Sequence, residues 1–321
     1  MLRSIFSDWR KSQAHLLLLS KFRSPRRIDD FAKKEEWEEV LKEKPEKAIK
    51  RFVKEGYVNK GDLVFKISYK YKVNDLKKIL EERGLKKSGR KDELINRLIE
   101  SDPSGMSKLS KGIDIYICTD IGEKIVEDYL ETENKKREVV EKQTIFELSK
   151  HNFRKSSKLI ANYEAGQVFP RGIGMDWKNY DTKDDELFLI ILFSRKPKIL
   201  SDISDKELEP MRIGAGMFRL KWNRGQVNNW LSSLNLSKMA IEPEQISNLL
   251  YLHAHFLKEL RECRELDIKH VEINSSNDPL VCSACKRIIG KKIRLDKVPE
   301  LPYEKCTSES GCRCGISAIV I

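Results

Sequence analysis

The chain has 321 residues, enough for two or three domains, and 40% apolar against 35% charged content keeps it in the globular class. Its net charge of +12 is uneven: residues 1–100 carry 27 Lys/Arg and 17 Asp/Glu, leaving 35 against 33 for the remainder. A basic end on a nearly neutral body points to a polyanionic partner, nucleic acid first, and the lack of any run of 18 apolar residues excludes a membrane-spanning helix.

In chain order, the opening MLRSIFSDWRKSQAHLLLLSKFRSPRR has one short apolar patch, Leu16 to Leu19, with charge on both sides and no small-residue cleavage site. That argues against a secretory signal and for an intracellular, cytoplasmic protein. Residues 1–70 read as short helices: DDFAKKEEWEEVLKEK and PEKAIKRFVKEG place Phe31, Trp37, Val40 and Leu41, then Ile49, Phe52 and Val53, at helical spacing, with Gly56 ending the second. Residues 71–102 read as two helices around a basic loop. The Ser-, Gly- and Pro-containing piece 103–112 reads as a linker. IDIYICTDIGEKIVEDYLE predicts a short strand, a cap at Thr119 or Asp120 and a helix, with charged helical sequence continuing to about Gly166. QVFPRGIGMDW is a glycine-bearing loop, and DDELFLIILFSRKP favours a buried helix by its length and lack of alternation. Further helices fill Asp205 to Leu266, IKHVEI predicts a strand, and residues 267–321 form a cysteine-rich segment. The expected architecture is mainly α and multi-domain: a helical 1–70, a small helix–loop–helix at 71–102, a helical domain over 113–266 and a small β/zinc-knuckle end.

The stretch YKVNDLKKILEERGLKKSGRKDELINRLIESD holds the basic loop. Asn74 can cap its first helix, with Val73, Leu76, Ile79 and Leu80 as the inner face. Gly84 suits the left-handed residue that ends a helix. Ser88 or Gly89 can start the second helix, whose Leu94, Ile95, Leu98 and Ile99 pack back on the first. Lys86, Lys87, Arg90 and Lys91 then surround a helix N-terminus, where unpaired amides, the positive dipole end and cations together suit a phosphate. The bland alternative is a charged hairpin whose lysines are merely solvated.

This stretch resembles the SAP motif, a helix–loop–helix DNA-binding module, in its apolar spacing and in RGL, SGRK and ELINRL. The resemblance implies contact with duplex DNA, with little base specificity, through the loop and the start of the second helix. By position those contacts are Lys77, Lys87, Gly89, Arg90 and Lys91, with Lys86 and Ser88 beside them in the same loop. One such module makes few phosphate contacts, so affinity is expected to be weak and strongly salt-dependent.

The tail has the spacing Cys282-x2-Cys285-x20-Cys306-x5-Cys312-x-Cys314. A Cys-x2-Cys turn presents two thiolates on one side, and a second pair some 20 residues on completes a tetrahedron, as in structural zinc sites. The expected ligands are Cys282, Cys285, Cys306 and Cys312, with Cys314 as the rival for the last place. A closed thiolate shell braces a fold and leaves no position for water. Cys118 and Cys263 read as ordinary buried thiols. NDPLVCSACKRIIGKK, ELP and GCRC also resemble the cysteine-rich end of Mu-type phage head-morphogenesis proteins, although that family has a histidine where this chain has Cys306 and an inserted TSESG. That resemblance implies a phage-related structural or assembly role.

Other constellations carry less. His270-Val-Glu272 ahead of a Cys-x2-Cys is similar to zinc deaminases, but only nine residues separate Glu272 from Cys282 and no proline directly precedes it. PRGIGMDW matches neither a dinucleotide-binding loop nor a P-loop, leaving Arg171 and Asp176 as minor candidates. His253 and His255 lie two apart on a helix and face different ways. His15 and His151 are isolated, and the acidic 181–186 reads as a solvated loop. The leading reading is a non-enzymatic, intracellular DNA-binding protein with a structural zinc site. The alternatives are a phage- or mobile-element-derived assembly protein, or a DNA-processing enzyme tethered by the helix–loop–helix.

Overall fold

The computed structural model describes residues 8–32, 34–172, 174–221, 226–231, 241–275, 281–308 and 311–319. The chain is mainly helical and divides into two compact units, Met1–Lys136 and Arg137–Ile321. None of the described helices is long and apolar enough to cross a membrane.

The first unit contains α1 (Gln13–Ser20), α2 (Asp29–Ala32), α3 (Glu35–Leu41), α4 (Pro45–Lys54), β1 (Val58–Lys60), α5 (Leu63–Lys70), α6 (Val73–Glu82), α7 (Lys91–Ser101), α8 (Pro103–Leu109), β2 (Tyr116–Cys118) and the first part of α9 (Asp120–Ser149). Helices α1–α4 bury an aromatic-rich core. Trp9 and Phe52 ring centres lie 4.7 Å apart and Phe31 meets Trp37 edge-on at 5.7 Å. β1 and β2 pair antiparallel, with Val58 opposite Cys118. The start of α9 is set by Thr119, whose Oγ1 accepts from the Gly122 amide at 3.2 Å. Gly122 is needed there because a Cβ would sit 2.1 Å from the Tyr57 carbonyl oxygen.

Between the paired strands runs a separate four-helix cluster, α5–α8. Its core is Ile67, Leu76, Leu80, Leu94, Ile95, Leu98 and Met106, all essentially inaccessible to solvent. The expected hairpin is present, but α5 and α8 complete its core. The segment expected as a linker, 103–112, instead carries α8. Asp102 accepts from the Gly105 amide at 2.8 Å, Pro103 opens the helix, and Met106 anchors it. Asn74 is not the cap of α6: that position is Lys72, whose amide donates to Asp75 at 3.0 Å.

The second unit holds the end of α9, α10 (Phe153–Ala165), α11 (Lys183–Ser194), α12 (Asp205–Leu220), α13 (Val227–Leu231), α14 (Pro243–Glu265), β3 (His270–Asn274), α15 (Ser283–Lys286), β4 (Lys292–Arg294) and β5 (Gly315–Ile319). One core runs from α11, α12 and α14 to the sheet, and α11 is the buried helix that its sequence predicted. Of the acidic 181–186, Asp181 is exposed ahead of the helix, but the rest is not a solvated loop. Asp184 and Asp185 lie in α11 and bind Arg219 at 2.6 and 2.8 Å, and Lys258 reaches Asp184 at 2.9 Å. The strands order β4-β3-β5, all antiparallel, with Val271 opposite both Ile293 and Ala318. Buried His253 donates from Nδ1 to the Leu301 carbonyl at 2.9 Å, fixing α14 to the cysteine segment, while His255 is only half-buried and lies 3.4 Å from Glu259.

Candidate nucleic-acid interface and metal centre

The basic loop joins α6 to α7 over residues 83–90. Gly84 has φ +66° and Gly89 φ +129°, so both take backbone that a side chain would oppose. At Gly89 an added Cβ would stand 2.4 Å from Glu93 Oε2. Helix α7 begins at Lys91 with Arg90 as its cap residue, two or three positions later than the expected start at Gly89 or Ser88. Glu93 Oε2 accepts from the Arg90 amide at 3.2 Å, so that amide is internally satisfied.

Lys86, Lys87, Ser88, Gly89 and Arg90 are exposed along the loop, and Lys77 is exposed on α6. Arg90 has a side chain 80% exposed and leans on Asp92 at 2.9 Å. Lys87 contacts Glu81 at 2.7 Å, and this pairing holds the Glu81 carboxyl below its ordinary value. Both ion pairs are solvated surface contacts, weak enough for a phosphate to replace the carboxylate. Lys91 behaves differently from the rest. It is half-buried and its Nζ donates to the Ser68 carbonyl at 2.6 Å, closing the last turn of α5. Sequence reasoning missed Arg97. From α7 its Nη1 donates to the carbonyls of Lys86 at 2.6 Å and Ser88 at 3.1 Å. Nothing in the local pattern pairs Arg97 with that loop; only the hairpin fold does.

In the second unit the five tail cysteines form two groups of three that share Cys285: Cys282, Cys285 and Cys306, and Cys285, Cys312 and Cys314. Within each group every sulfur lies within 4.8 Å of the others. Cys282 caps α15, receiving the Cys285 amide at 3.4 Å, and Cys312 receives the Tyr303 amide at 3.4 Å. The Cys282–Cys306 sulfurs are 3.7 Å apart and the Cys285–Cys312 sulfurs 3.9 Å. A tetrahedral ion with metal–sulfur bonds of about 2.3 Å needs edges of about 3.8 Å. The all-sulfur donor set, the amide hydrogens on two sulfurs and those two spacings suit a soft cation, but the expected ligands Cys282, Cys285, Cys306 and Cys312 do not gather as one group of four within 4.8 Å: Cys312 groups with Cys285 and Cys314 instead. The sulfurs enclose a cavity of about 10 Å³.

Their protonation is uneven. Burial opposes ionisation of Cys282, but the amides of Cys285 and Thr307 outweigh it and bring that thiol down to about 6. Cys312 is brought down to about 5, chiefly by the Cys314 thiol donating to its sulfur. Cys314 is correspondingly pushed up, holding its proton against Cys312, and burial pushes Cys306 to about 11. One ready thiolate therefore belongs to each group. Cys118 and Cys263 lie outside the cluster, and burial raises Cys118 to about 12.

Residues 70–103 match the SAP domain family model, and this span is the α6–α7 hairpin with its flanking residues. A SAP domain is a nucleic-acid-binding module. No curated protein and no solved structure matches the chain. The resemblance of the cysteine tail to Mu-type phage head-morphogenesis proteins gains no support from these comparisons.

Proposed function

We propose that the chain is a non-enzymatic DNA-binding protein that grips the sugar–phosphate backbone of duplex DNA with the α6–α7 loop. The observation that carries this reading is the loop itself. Lys86, Lys87 and Arg90 stand exposed beside the N-terminus of α7, inside the segment that matches the SAP domain. Arg97 holds the backbone of that loop in place from behind. Cationic side chains and the positive helix end then address one phosphate group, while Lys77 extends the contact along α6. The contacts are to backbone, so they position the protein without reading sequence. Lys91 supports the α5 turn in this reading and contributes little direct contact.

The cysteine cluster takes one zinc ion through Cys282, Cys285, Cys306 and Cys312, with Cys314 donating to Cys312. A saturated thiolate shell supplies bracing only. What this chain's residues do is hold α15, residues 303–306, Cys312 and β5 together.

The test is a titration of the full chain with a duplex oligonucleotide at two salt concentrations. Binding should weaken steeply with salt, and Lys87→Glu/Arg90→Glu should abolish most of it. Charge reversal at two phosphate contacts should also lower the log–log salt slope by about 2. Salt-dependent binding that persists unchanged in the double variant would overturn the assignment to this loop.

A further inference from the structure

Helix α4 carries a second cationic surface, which the loop reading leaves unused. Residues 42–54 hold six Lys/Arg against two Asp/Glu. The apolar side of α4 is buried: Ala48, Ile49 and Phe52 are inaccessible to solvent. On its opposite side, at helical spacing, stand Lys47, Lys50 and Lys54, all exposed, with half-buried Arg51 beside them. Among the described residues, no hydrogen bond or ion pair holds the side chains of Lys44, Lys50 or Lys54. Lys47 lies 3.9 Å from Glu43 with its side chain 64% exposed, a solvated and weak contact. Glu43 is itself taken by His15 and Arg51, and Glu55 by Trp9 and Arg10, so neither carboxylate neutralises the row. Half-buried Glu46, four residues before Lys50, makes no ion pair with it.

The setting of α4 suits a duplex. Residues 42–44 alone join α3 to α4, and Lys42 takes φ +57° to make that tight turn. Two helices on so short a turn, the second displaying a polar face, are the parts of a helix–turn–helix, which lays its second helix in the major groove. That groove, about 12 Å wide, admits one α-helix. The exposed Glu35, Glu36, Glu38 and Glu39 of α3 repel phosphate, which leaves α4 and its turn as the part that approaches DNA. β1 follows α4 directly. Its partner β2 also pairs with the chain at Arg26, where Arg26 and Tyr116 exchange backbone hydrogen bonds at 3.0 and 2.8 Å. The cluster α5–α8 leaves from the same strands, and Tyr69 of α5 donates to Asp30 of α2 at 3.0 Å. Both cationic surfaces thus belong to the first unit.

We propose that α4 is a recognition helix that enters the major groove of duplex DNA, with Lys47 and Lys50 at base edges and Lys44 and Lys54 on the flanking phosphates. A lysine at a base edge favours the guanine N7 and O6 acceptors, so this contact supplies a base preference that a backbone-gripping loop does not. The proposal rests on the DNA-binding reading for its ligand, duplex DNA, and on none of the loop's residues.

The experiment uses the full chain as wild type, as Lys50→Glu/Lys54→Glu and as the loop variant Lys87→Glu/Arg90→Glu. Fluorescence anisotropy measures affinity for a mixed-sequence duplex, and dimethyl sulfate probes guanine N7 in each complex at saturating protein. Lys50→Glu/Lys54→Glu should weaken binding roughly tenfold or more and lower the log–log salt slope by about 1, for one phosphate contact. Guanine N7 should be protected by the wild type and by the loop variant, and reactive with the α4 variant. The milder Lys50→Gln/Lys54→Gln should lose the same protection with a roughly fivefold weaker affinity, and circular dichroism checks that each variant folds. Affinity that survives the loop variant but not the α4 variants supports this proposal and overturns the loop assignment. Affinity unmoved in both α4 variants, or guanine N7 reactive throughout the wild-type complex, overturns the proposal. So does a dimer that Lys50→Glu/Lys54→Glu dissociates while DNA affinity holds, since the face then belongs to the acidic α3 of a second copy.

Discussion

Arg97 donates from Nη1 to the Lys86 carbonyl at 2.6 Å, tying the second helix of the α6–α7 hairpin to the chain entering its basic loop. Arg97 therefore shapes a surface that Lys86, Lys87 and Arg90 present. Arg97→Ala should lower affinity for duplex DNA by roughly fivefold, the equivalent of about 1 kcal/mol for a hydrogen bond. The salt slope should stay where it is, because no phosphate contact is removed. A slope reduced by about 0.9 would mean that Arg97 itself touches the backbone.

Met106 lies outside the segment that matches the SAP domain yet is fully buried in the same core. Met106→Ala should destabilise this cluster by about 2–5 kcal/mol, the usual range for truncating a buried large side chain. Urea unfolding followed by hydrogen exchange in 63–109 measures it. Wild-type stability there would show α8 to be dispensable.

The metal reading makes a local prediction. Elemental analysis should give one zinc per chain, lost in Cys282→Ser and Cys312→Ser and kept in Cys314→Ser. Chelation should strip hydrogen-exchange protection from α15, β4 and β5 while leaving α6 and α7 protected, since metal energy is folding energy where the ligands are. Retained zinc in Cys312→Ser with loss in Cys314→Ser would exchange the roles of those two.

Glu43 gives a pH prediction in the first unit. Burial works to raise its carboxyl, but hydrogen bonds from His15 at 2.8 Å and from Arg51 outweigh burial and hold it below the ordinary 4.5. A lowered folded-state value stabilises above the unfolded value and loses that contribution as pH falls through the folded one. Glu43→Gln should therefore cost about 1–3 kcal/mol at pH 7, the range for an unmatched buried polar partner. The difference from wild type should shrink below pH 4.5. Thermal melts of both proteins across pH 3–7 decide it, and a gap that stays constant contradicts the linkage.

The local elements were legible because their signals lie within a few residues. Length and lack of alternation marked α11, the run IKHVEI marked β3, and the Cys-x2-Cys turn announced the cluster. The loop cations were legible too, but the roles of Lys91 and Arg97 were not. Their partners, the Ser68 and Lys86 carbonyls, are backbone atoms 23 and 11 residues away, which no side-chain pattern marks. The acidic 181–186 misled for a similar reason: Arg219, 34 residues on from Asp185, converts apparent surface charge into a core ion pair.

By itself the sequence determined the helix-rich class, the basic hairpin and the sulfur-rich end, each written in side-chain types at short spacing. Tertiary structure alone decided that the hairpin sits inside a four-helix cluster inserted between two paired strands. It also decided that five sulfurs gather into two groups sharing one residue. Those outcomes depend on which distant surfaces exclude water together, and burial between remote segments leaves no periodic trace along the chain.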